Sequence, residues 1–251
     1  MFGLFKKKKE ETPSAVGIDY SGLGVDMHSH LLPGIDDGSP DAATSVSYIK
    51  KMMELGYRKF ITTPHIYPDL YPNTRATILA AHQRLTEKLN EEGIDVEVHA
   101  AAEYFIDDSF LELMEKEELL SFGTKRCVLV EMSFIAPAPQ WEEAIFTLIT
   151  QGYQPILAHP ERYTYWHRHP KAFQRVIERG AWLQANISSI LGHYGKPIQQ
   201  VAKTLWKEGH ISLLGTDIHH DQHLHLLKRF EKDKEMQKLL SRFPLDNLQL
   251  F

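Results

Sequence analysis

Gly152-Tyr153-Gln154-Pro155-Ile156-Leu157-Ala158-His159-Pro160-Glu161-Arg162 shows one structural unit in miniature. A glycine of the kind that closes a helix is followed by an apolar run of strand length and then by a histidine. Pro160 has no N–H for a sheet ladder, so the strand stops at His159. The same grammar recurs along the chain. Glycines stand at Gly24, Gly56, Gly93, Gly123, Gly152, Gly180 and Gly209, about 30 residues apart, the length of one strand-and-helix unit. Each is followed by a short apolar or β-branched stretch: Val25-Asp26-Met27, Phe60 to Thr63, Val96-Glu97-Val98, Val128-Leu129-Val130, Pro155 to Ala158, Trp182 to Ala185 and Ile211 to Leu214. These predict seven strands.

Between them, apolar residues fall at helical spacing, as at Ala43, Val46, Ile49, Met52 and Met53. Ser39-Pro40 is expected to open the first helix and Asn73 to cap the second, while Gly56, Gly93, Gly152, Gly180 and Gly209 follow helix ends. Strands alternating with helices imply a parallel α/β sheet. Seven such units suggest a distorted (β/α)7 barrel related to the eight-fold TIM type, with an open doubly wound sheet as the alternative.

A chain of 251 residues with 43% hydrophobic content can bury one large core. The expected organisation is a flexible basic tail over 1–20 and a single domain over 21–251. The tail's Lys6 to Lys9, with Phe2, Leu4 and Phe5, allows at most weak peripheral contact with anionic lipid, and its charges are on the wrong side for a secretory signal. No apolar run is long enough to span a bilayer. A net charge of −5 argues against an extended nucleic-acid partner. The single cysteine, Cys127, excludes an internal disulfide and fits a reducing, cytoplasmic setting.

In either architecture, chemistry gathers at the carboxyl ends of the strands. The residues there are His28 and His30, His65, Glu103, Glu131, His159, Asn186, and Asp217 with His219. Residues two apart on an extended segment point the same way, so His28 with His30, and Asp217 with His219, can each aim two donors at one point. Asp36-Asp37-Gly38 adds carboxylates in a tight loop, although either aspartate could serve the turn alone. A carboxylate ending a buried strand is costly unless a partner or a cation compensates it. So many mixed donors exceed the needs of one ion, and suggest two or three divalent ions sharing carboxylates; manganese, iron and zinc all suit such ligands. Clustered ions would acidify a water and offset charge on a phosphoryl group. Arg162, three residues beyond His159, is placed to grip phosphate oxygens. His220, His223 and His225 are expected to be solvated or supporting; His82, His99, His167, His169, His193 and His210 lack a strand-end context. A Cys-x5-Arg phosphate loop is absent, since Ser133 stands six residues after Cys127.

The set His28-Ser29-His30, Asp36-Asp37-Gly38, Thr62-Thr63-Pro64-His65, Ala102-Glu103-Tyr104, Glu131-Met132, His159-Pro160-Glu161-Arg162-Tyr163 and Asp217-Ile218-His219 resembles the polymerase-and-histidinol-phosphatase (PHP) superfamily. Within it, the chain is similar to the bacterial manganese-dependent protein tyrosine phosphatases of capsule and exopolysaccharide synthesis. The resemblance implies a seven-stranded distorted barrel holding three metals, with manganese preferred. His28, His30, Glu103 and Asp217 would surround one; Glu103, Glu131 and His159 the second; Asp37, His65 and His219 the third, Asp37 fitting better than Asp36. Arg162 and Asp217 are the candidate catalytic groups. The substrate implied is a phosphotyrosine protein, a bacterial tyrosine autokinase. Relatives carry a second arginine soon after the final Asp-x-His, and His220-Asp221-Gln222-His223 offers none. Two other functions compete: a histidinol-phosphate or other small-molecule phosphatase, and a non-catalytic, metal-stabilised kinase regulator. Tyr104, Phe105, Phe134, Tyr163, Tyr165 and Trp166 could frame a phenyl ring or merely pack.

Overall fold

Every strand pairing in the structure, a computed structural model describing residues 23–116, 119–230, 233–242 and 245–250, is parallel. The basic tail over 1–20 lies outside the described residues. The strands are β1 (Val25–Asp26), β2 (Lys59–Thr62), β3 (His65–Ile66), β4 (Glu97–Ala100), β5 (Glu103–Phe105), β6 (Cys127–Glu131), β7 (Gln154–Ala158), β8 (Trp182–Asn186) and β9 (Ile211–Gly215). They form two sheets, β1-β2-β4 and β3-β5-β6-β7-β8-β9.

Seven strands were expected; nine segments are found among the described residues. Pro64, with no N–H to give, parts β2 from β3, and a break at Ala101-Ala102 parts β4 from β5. Backbone hydrogen bonds run through both gaps, from Ala101 N–H to Thr62 O at 2.8 Å and from Glu103 N–H to Pro64 O at 3.0 Å. Beyond the other two edges, Asp217 N–H donates to His28 O at 2.8 Å, His30 N–H donates to Ile218 O at 3.1 Å, and Ser29 bridges Ile218 in parallel.

The α-helices are α1 (Ala42–Glu54), α2 (Arg75–Glu91), α3 (Asp108–Glu115), α4 (Trp141–Thr150), α5 (Lys171–Glu178), α6 (Ile187–Ile190), α7 (Lys196–Lys207), α8 (Asp221–Phe230) and α9 (Lys234–Arg242). Five of them end at the expected glycines; Gly152 and Gly209, at φ +78° and +76°, take the left-handed turn that a side chain resists. The N-caps differ from expectation. Asp41, not Ser39, accepts from Thr44 N–H and caps α1. Thr74, not Asn73, caps α2 through a reciprocal bond pair with Thr77. The Asn73 amide instead donates to Ile35 O at 2.8 Å and His65 O at 2.9 Å, tying two site loops together.

Strand residues alternate between two apolar layers, as a pleat with both faces buried requires. Phe60, Val128, Val130, Leu157, Leu183 and Leu214 join the large cluster that contains the helices' inner faces. Val25, Met27, Ile61, Cys127, Leu129, Ile156 and Leu213 form a separate inner cluster with Phe122 and Leu250. Burial pushes the Cys127 thiol up to about 12, so it stays protonated and inert.

The first and last strands are bolted together by Asn247, whose buried amide donates to Val25 O at 3.1 Å and Leu214 O at 2.8 Å and accepts from Leu214 N–H at 3.0 Å. Asn247→Ala leaves these backbone groups buried and unpaired, and is expected to lower unfolding free energy by about 3 kcal/mol. Urea denaturation checks this; a loss below about 0.5 kcal/mol, the range of ordinary surface changes, would show that the bolt carries no weight.

Candidate metal centre

The parallel arrangement brings all the strand carboxyl ends to one side, and the expected donors meet there. His28 and His30 follow β1, His65 opens β3, Glu103 opens β5, Glu131 ends β6, His159 follows β7, and Asp217 and His219 follow β9. His159 and Asp217 hold positive φ, 34° and 51°, although neither is glycine. His159 does so immediately before a proline, which disfavours helical backbone at the preceding residue. Left-handed backbone of this kind costs about 1–3 kcal/mol per residue and gathers where the fold must aim a side chain.

Glu103 is the hub and is wholly buried. Its Oε2 lies 3.3 Å from His28 Nε2, 3.5 Å from His30 Nε2 and 3.2 Å from His65 Nδ1, and its Oε1 lies 2.9 Å from His159 Nε2. Asp217 Oδ1 is 3.4 Å from Nε2 of both His28 and His30. Glu131 lies 2.9 Å from His65 and 3.8 Å from His159. Asp37 Oδ1 is 3.6 Å from His65 and 3.4 Å from His219. Four sets have donor atoms close enough to share an ion: His30, Asp37, His65 and His219; His28, His30 and Glu103; His28, His159 and Asp217; His65, Glu103 and Glu131. The grouping expected around Asp37, His65 and His219 thus also takes in His30. His159 reaches toward His28 and Asp217 as well as toward the two glutamates.

The residues behind this layer explain its orientation. His28 Nδ1 bonds Gln184 Oε1 at 2.8 Å; Gln184 Nε2 donates to Asn186 Oδ1 at 2.9 Å, and Asn186 Nδ2 donates to Asp217 Oδ2 at 2.6 Å. His30 Nδ1 bonds Asp36 Oδ2 at 2.8 Å, and His219 Nδ1 bonds Asp217 O at 2.9 Å. In all three imidazoles an oxygen outside the cluster takes Nδ1–H and leaves the Nε2 lone pair facing in, the arrangement typical of metal-binding histidines. The two adjacent aspartates therefore differ in place: Asp36 orients His30 and also accepts from Gly38 N–H, whereas Asp37 reaches the cluster.

Sequence reading missed Gln184, yet a polar residue flanked by Leu183 and Ala185 within a buried strand was the signal for it. It also missed Tyr194 and set His193 aside; both line the site's cavity, brought there by the loop after α6, where no periodicity marks them. His223 is buried, accepts from His219 N–H at Nδ1, and is pushed down to about 3 by burial. It is therefore a neutral support. His225 is exposed.

Arg162 faces the cluster across a cavity of about 450 Å³. Its guanidinium lies 4.3 Å from the centre of the Phe134 ring and 4.4 Å from that of Tyr194, with Nη1 3.4 Å from Asp217 Oδ2. Two aromatic faces and one carboxylate hold the fork in place while its other donors stay available.

The charge pattern fits divalent cations. Burial opposes ionisation of Glu103 and Asp217, yet the surrounding imidazoles hold both well below the usual carboxylate range. Burial likewise opposes protonation of His28, yet Glu103 and Asp217 raise its pKa to about 9. Glu103 Oε2 is buried without a well-formed hydrogen bond, although three imidazole nitrogens lie within 3.5 Å of it, a condition native proteins rarely leave uncompensated. Divalent cations would satisfy these lone pairs and replace the protons.

Comparison with known proteins agrees with this geometry. A family model described as capsular polysaccharide synthesis, CpsB/CapC, matches residues 24–231. Tyrosine-protein phosphatase YwqE of Bacillus subtilis (strain 168) is 30% identical over 195 residues, covering 78% of this chain and 77% of that protein. A chain from the crystal structures of YwqE from Bacillus subtilis and CpsB from Streptococcus pneumoniae, described as unique metal-dependent tyrosine phosphatases, superposes with a TM-score of 0.80 at 26% identity, covering 90% of this chain and 93% of that one. A histidinol phosphate phosphatase from Lactococcus lactis, complexed with zinc, L-histidinol and phosphate, superposes with a TM-score of 0.53 at 14% identity over 88% of this chain and 93% of that one, a likeness of fold alone.

Gln184→Leu removes the acceptor that fixes the His28 tautomer. Its affinity for a divalent metal, measured by competition with a chelating dye, is expected to fall about 10–100-fold. Unchanged affinity would reduce Gln184 to a packing residue.

Proposed function

Because the chain belongs to the CpsB/CapC family of capsular polysaccharide synthesis, we propose that it is a metal-dependent protein tyrosine phosphatase. The observation that carries this reading is the convergence of nine donors in overlapping sets, seven of which line one cavity with Arg162 facing them. The proposed donors are His28, His30, Asp37, His65, Glu103, Glu131, His159, Asp217 and His219, holding three divalent ions, manganese preferred over iron or zinc. The frame proposed around them is a distorted seven-stranded barrel within a single domain over 21–251. The hydrogen bonds through the two strand breaks, and those between His28, His30 and the Asp217-Ile218 segment, support closure. The substrate would be a tyrosine-phosphorylated protein, a bacterial tyrosine autokinase, met in the cytoplasm.

Bound there, divalent ions supply Lewis acidity that acidifies water and offsets negative charge on the phosphoryl group. The remaining work falls to the chain. Arg162 binds non-bridging phosphate oxygens and strengthens its grip as charge builds on them in the transition state. Asp217 and the rings of Phe134 and Tyr194 keep the guanidinium from swinging away. The P–O bond to the phenol breaks as water oxygen bonds phosphorus, the water giving up a proton and the leaving phenolate taking one up from solvent, so that phosphate and the tyrosine hydroxyl are released with no side chain phosphorylated. Cys127, buried among apolar residues, takes no part.

The two competing functions separate cleanly by experiment. Turnover of phosphotyrosine peptide should far exceed that of histidinol phosphate, and the reverse preference would move the chain to the small-molecule phosphatases. A protein that binds metal but turns over neither would be the non-catalytic regulator. Exhaustive chelation should abolish turnover and manganese restore it, whereas thiol alkylation should have no effect. Arg162→Ala should lower kcat on phosphotyrosine peptide by about a hundredfold, the loss seen when one preorganised donor is removed, with metal content unchanged. Full activity, or activity lost together with metal, would remove Arg162 from the phosphate site.

A further inference from the structure

Beside the cavity that holds the donor cluster lies a second one of about 320 Å³, which shares Asp37, His65, Glu131 and Phe134 with the first. Two stacked ring pairs line it: Tyr71 on His65 at 5.1 Å, and Tyr67 on Phe105 at 4.0 Å. One rim is the turn 67–71, in which Tyr67 N–H donates to Tyr71 O at 3.0 Å and Tyr71 N–H donates to Tyr67 O, presenting Leu70. The other rim is Ser133-Phe134-Ile135. It is held by Tyr165 Oη donating to Ser133 O at 3.0 Å and by Ile135 N–H donating to Ser133 Oγ at 3.1 Å.

Leu70, Phe134 and Ile135 are 64, 44 and 89% exposed, three large apolar side chains around one opening. Isolated exposed apolar residues are commonplace, but a group of them on the rim of a cavity marks a surface that a partner covers. No lysine or arginine lines the opening among the described residues, so its walls favour an apolar occupant over an acidic one.

Continuity decides what the occupant is. The two cavities meet at four shared residues, so a chain whose phosphotyrosine reaches the cluster and leaves past Phe134 enters the groove directly. At about 3.3–3.6 Å per extended residue, a neighbour one or two positions from the phosphotyrosine comes to lie there. Resting on the phosphotyrosine reading above, we propose that this groove binds the peptide segment adjoining the phosphotyrosine and selects an apolar side chain, held between Leu70 and Ile135. The same site would then act at two ranges. The cluster and Arg162 recognise phosphate on any alcohol, and the groove distinguishes one phosphotyrosine sequence from another.

The test compares kcat/KM for a small aryl phosphate, a phosphotyrosine peptide with leucine at the flanking positions, and the same peptide with aspartate there. The leucine peptide should be preferred over the aspartate peptide by about tenfold or more, the worth of burying one such side chain, with the difference carried by KM. Ile135→Asp and Leu70→Asp should remove that preference and leave turnover of the aryl phosphate unchanged. Titration with a fluorescent peptide bearing a non-hydrolysable phosphotyrosine mimic should show the same loss in binding alone. If the aryl phosphate is hydrolysed but no preference exists, or the preference survives both substitutions, the groove proposal is overturned while the phosphatase reading stands. If the metal-loaded protein hydrolyses none of the three, the phosphatase reading itself falls and takes the groove with it. A dimer that Ile135→Asp converts to monomer would assign the surface to a second copy of this chain, and would also overturn the proposal.

Discussion

The carboxylate of Glu103 has no contact with solvent, and the cost of putting it there governs the arrangement around it. A carboxylate taken out of water must be compensated within a few ångströms or give up its charge. Here the imidazoles of His28, His30, His65 and His159 come from three different strand ends to meet it. Each meeting depends on register. Glu103 pairs with His65 on one side and with Leu129 on the other, and a slip of one residue would turn it to the opposite face of the sheet. The hydrogen bonds to Gln184, Asp36 and the Asp217 carbonyl carry the same requirement one layer outward, by fixing the ring orientation of three of the cluster's histidines.

The inner apolar layer has a function beyond packing. Met27, Ile61, Leu129, Ile156 and Leu213 form an apolar layer on the amino-terminal side of the donors. Buried from water, the charges of the cluster interact more strongly with one another than they would in solvent. The turn that carries Asn247 adds Leu250 to this layer, so a carboxy-terminal segment helps to keep it apolar.

The parts legible in the sequence were those dictated by local chemistry. A glycine that must turn left-handed after a helix, an apolar run, and a histidine or carboxylate at its end are each visible without tertiary knowledge, and together they pointed to most of the strands and to the side chains that meet at one end of them. What escaped was decided by contacts between distant segments. Ser39 and Asn73 are good cap residues beside other good cap residues, and Asn73 was drawn away by the carbonyls of Ile35 and His65. The strand breaks at Pro64 and at Ala101-Ala102 lie where the chain passes from one sheet to the other, and only the proline announces itself. Tyr194 stacks on Arg162 from a loop whose place depends on α6.

The left-handed backbone at His159 and Asp217 has a consequence for anyone who would engineer this chain. Selection for heat resistance alone favours substitutions that relieve backbone strain, and glycine or asparagine at either position would do so. Those are also two of the positions proposed to hold metal. Laboratory evolution without a selection for activity would therefore drift toward a sturdier, emptied scaffold. Durable thermostable variants must draw their gains from the helices and outer loops, leaving the two strained corners untouched.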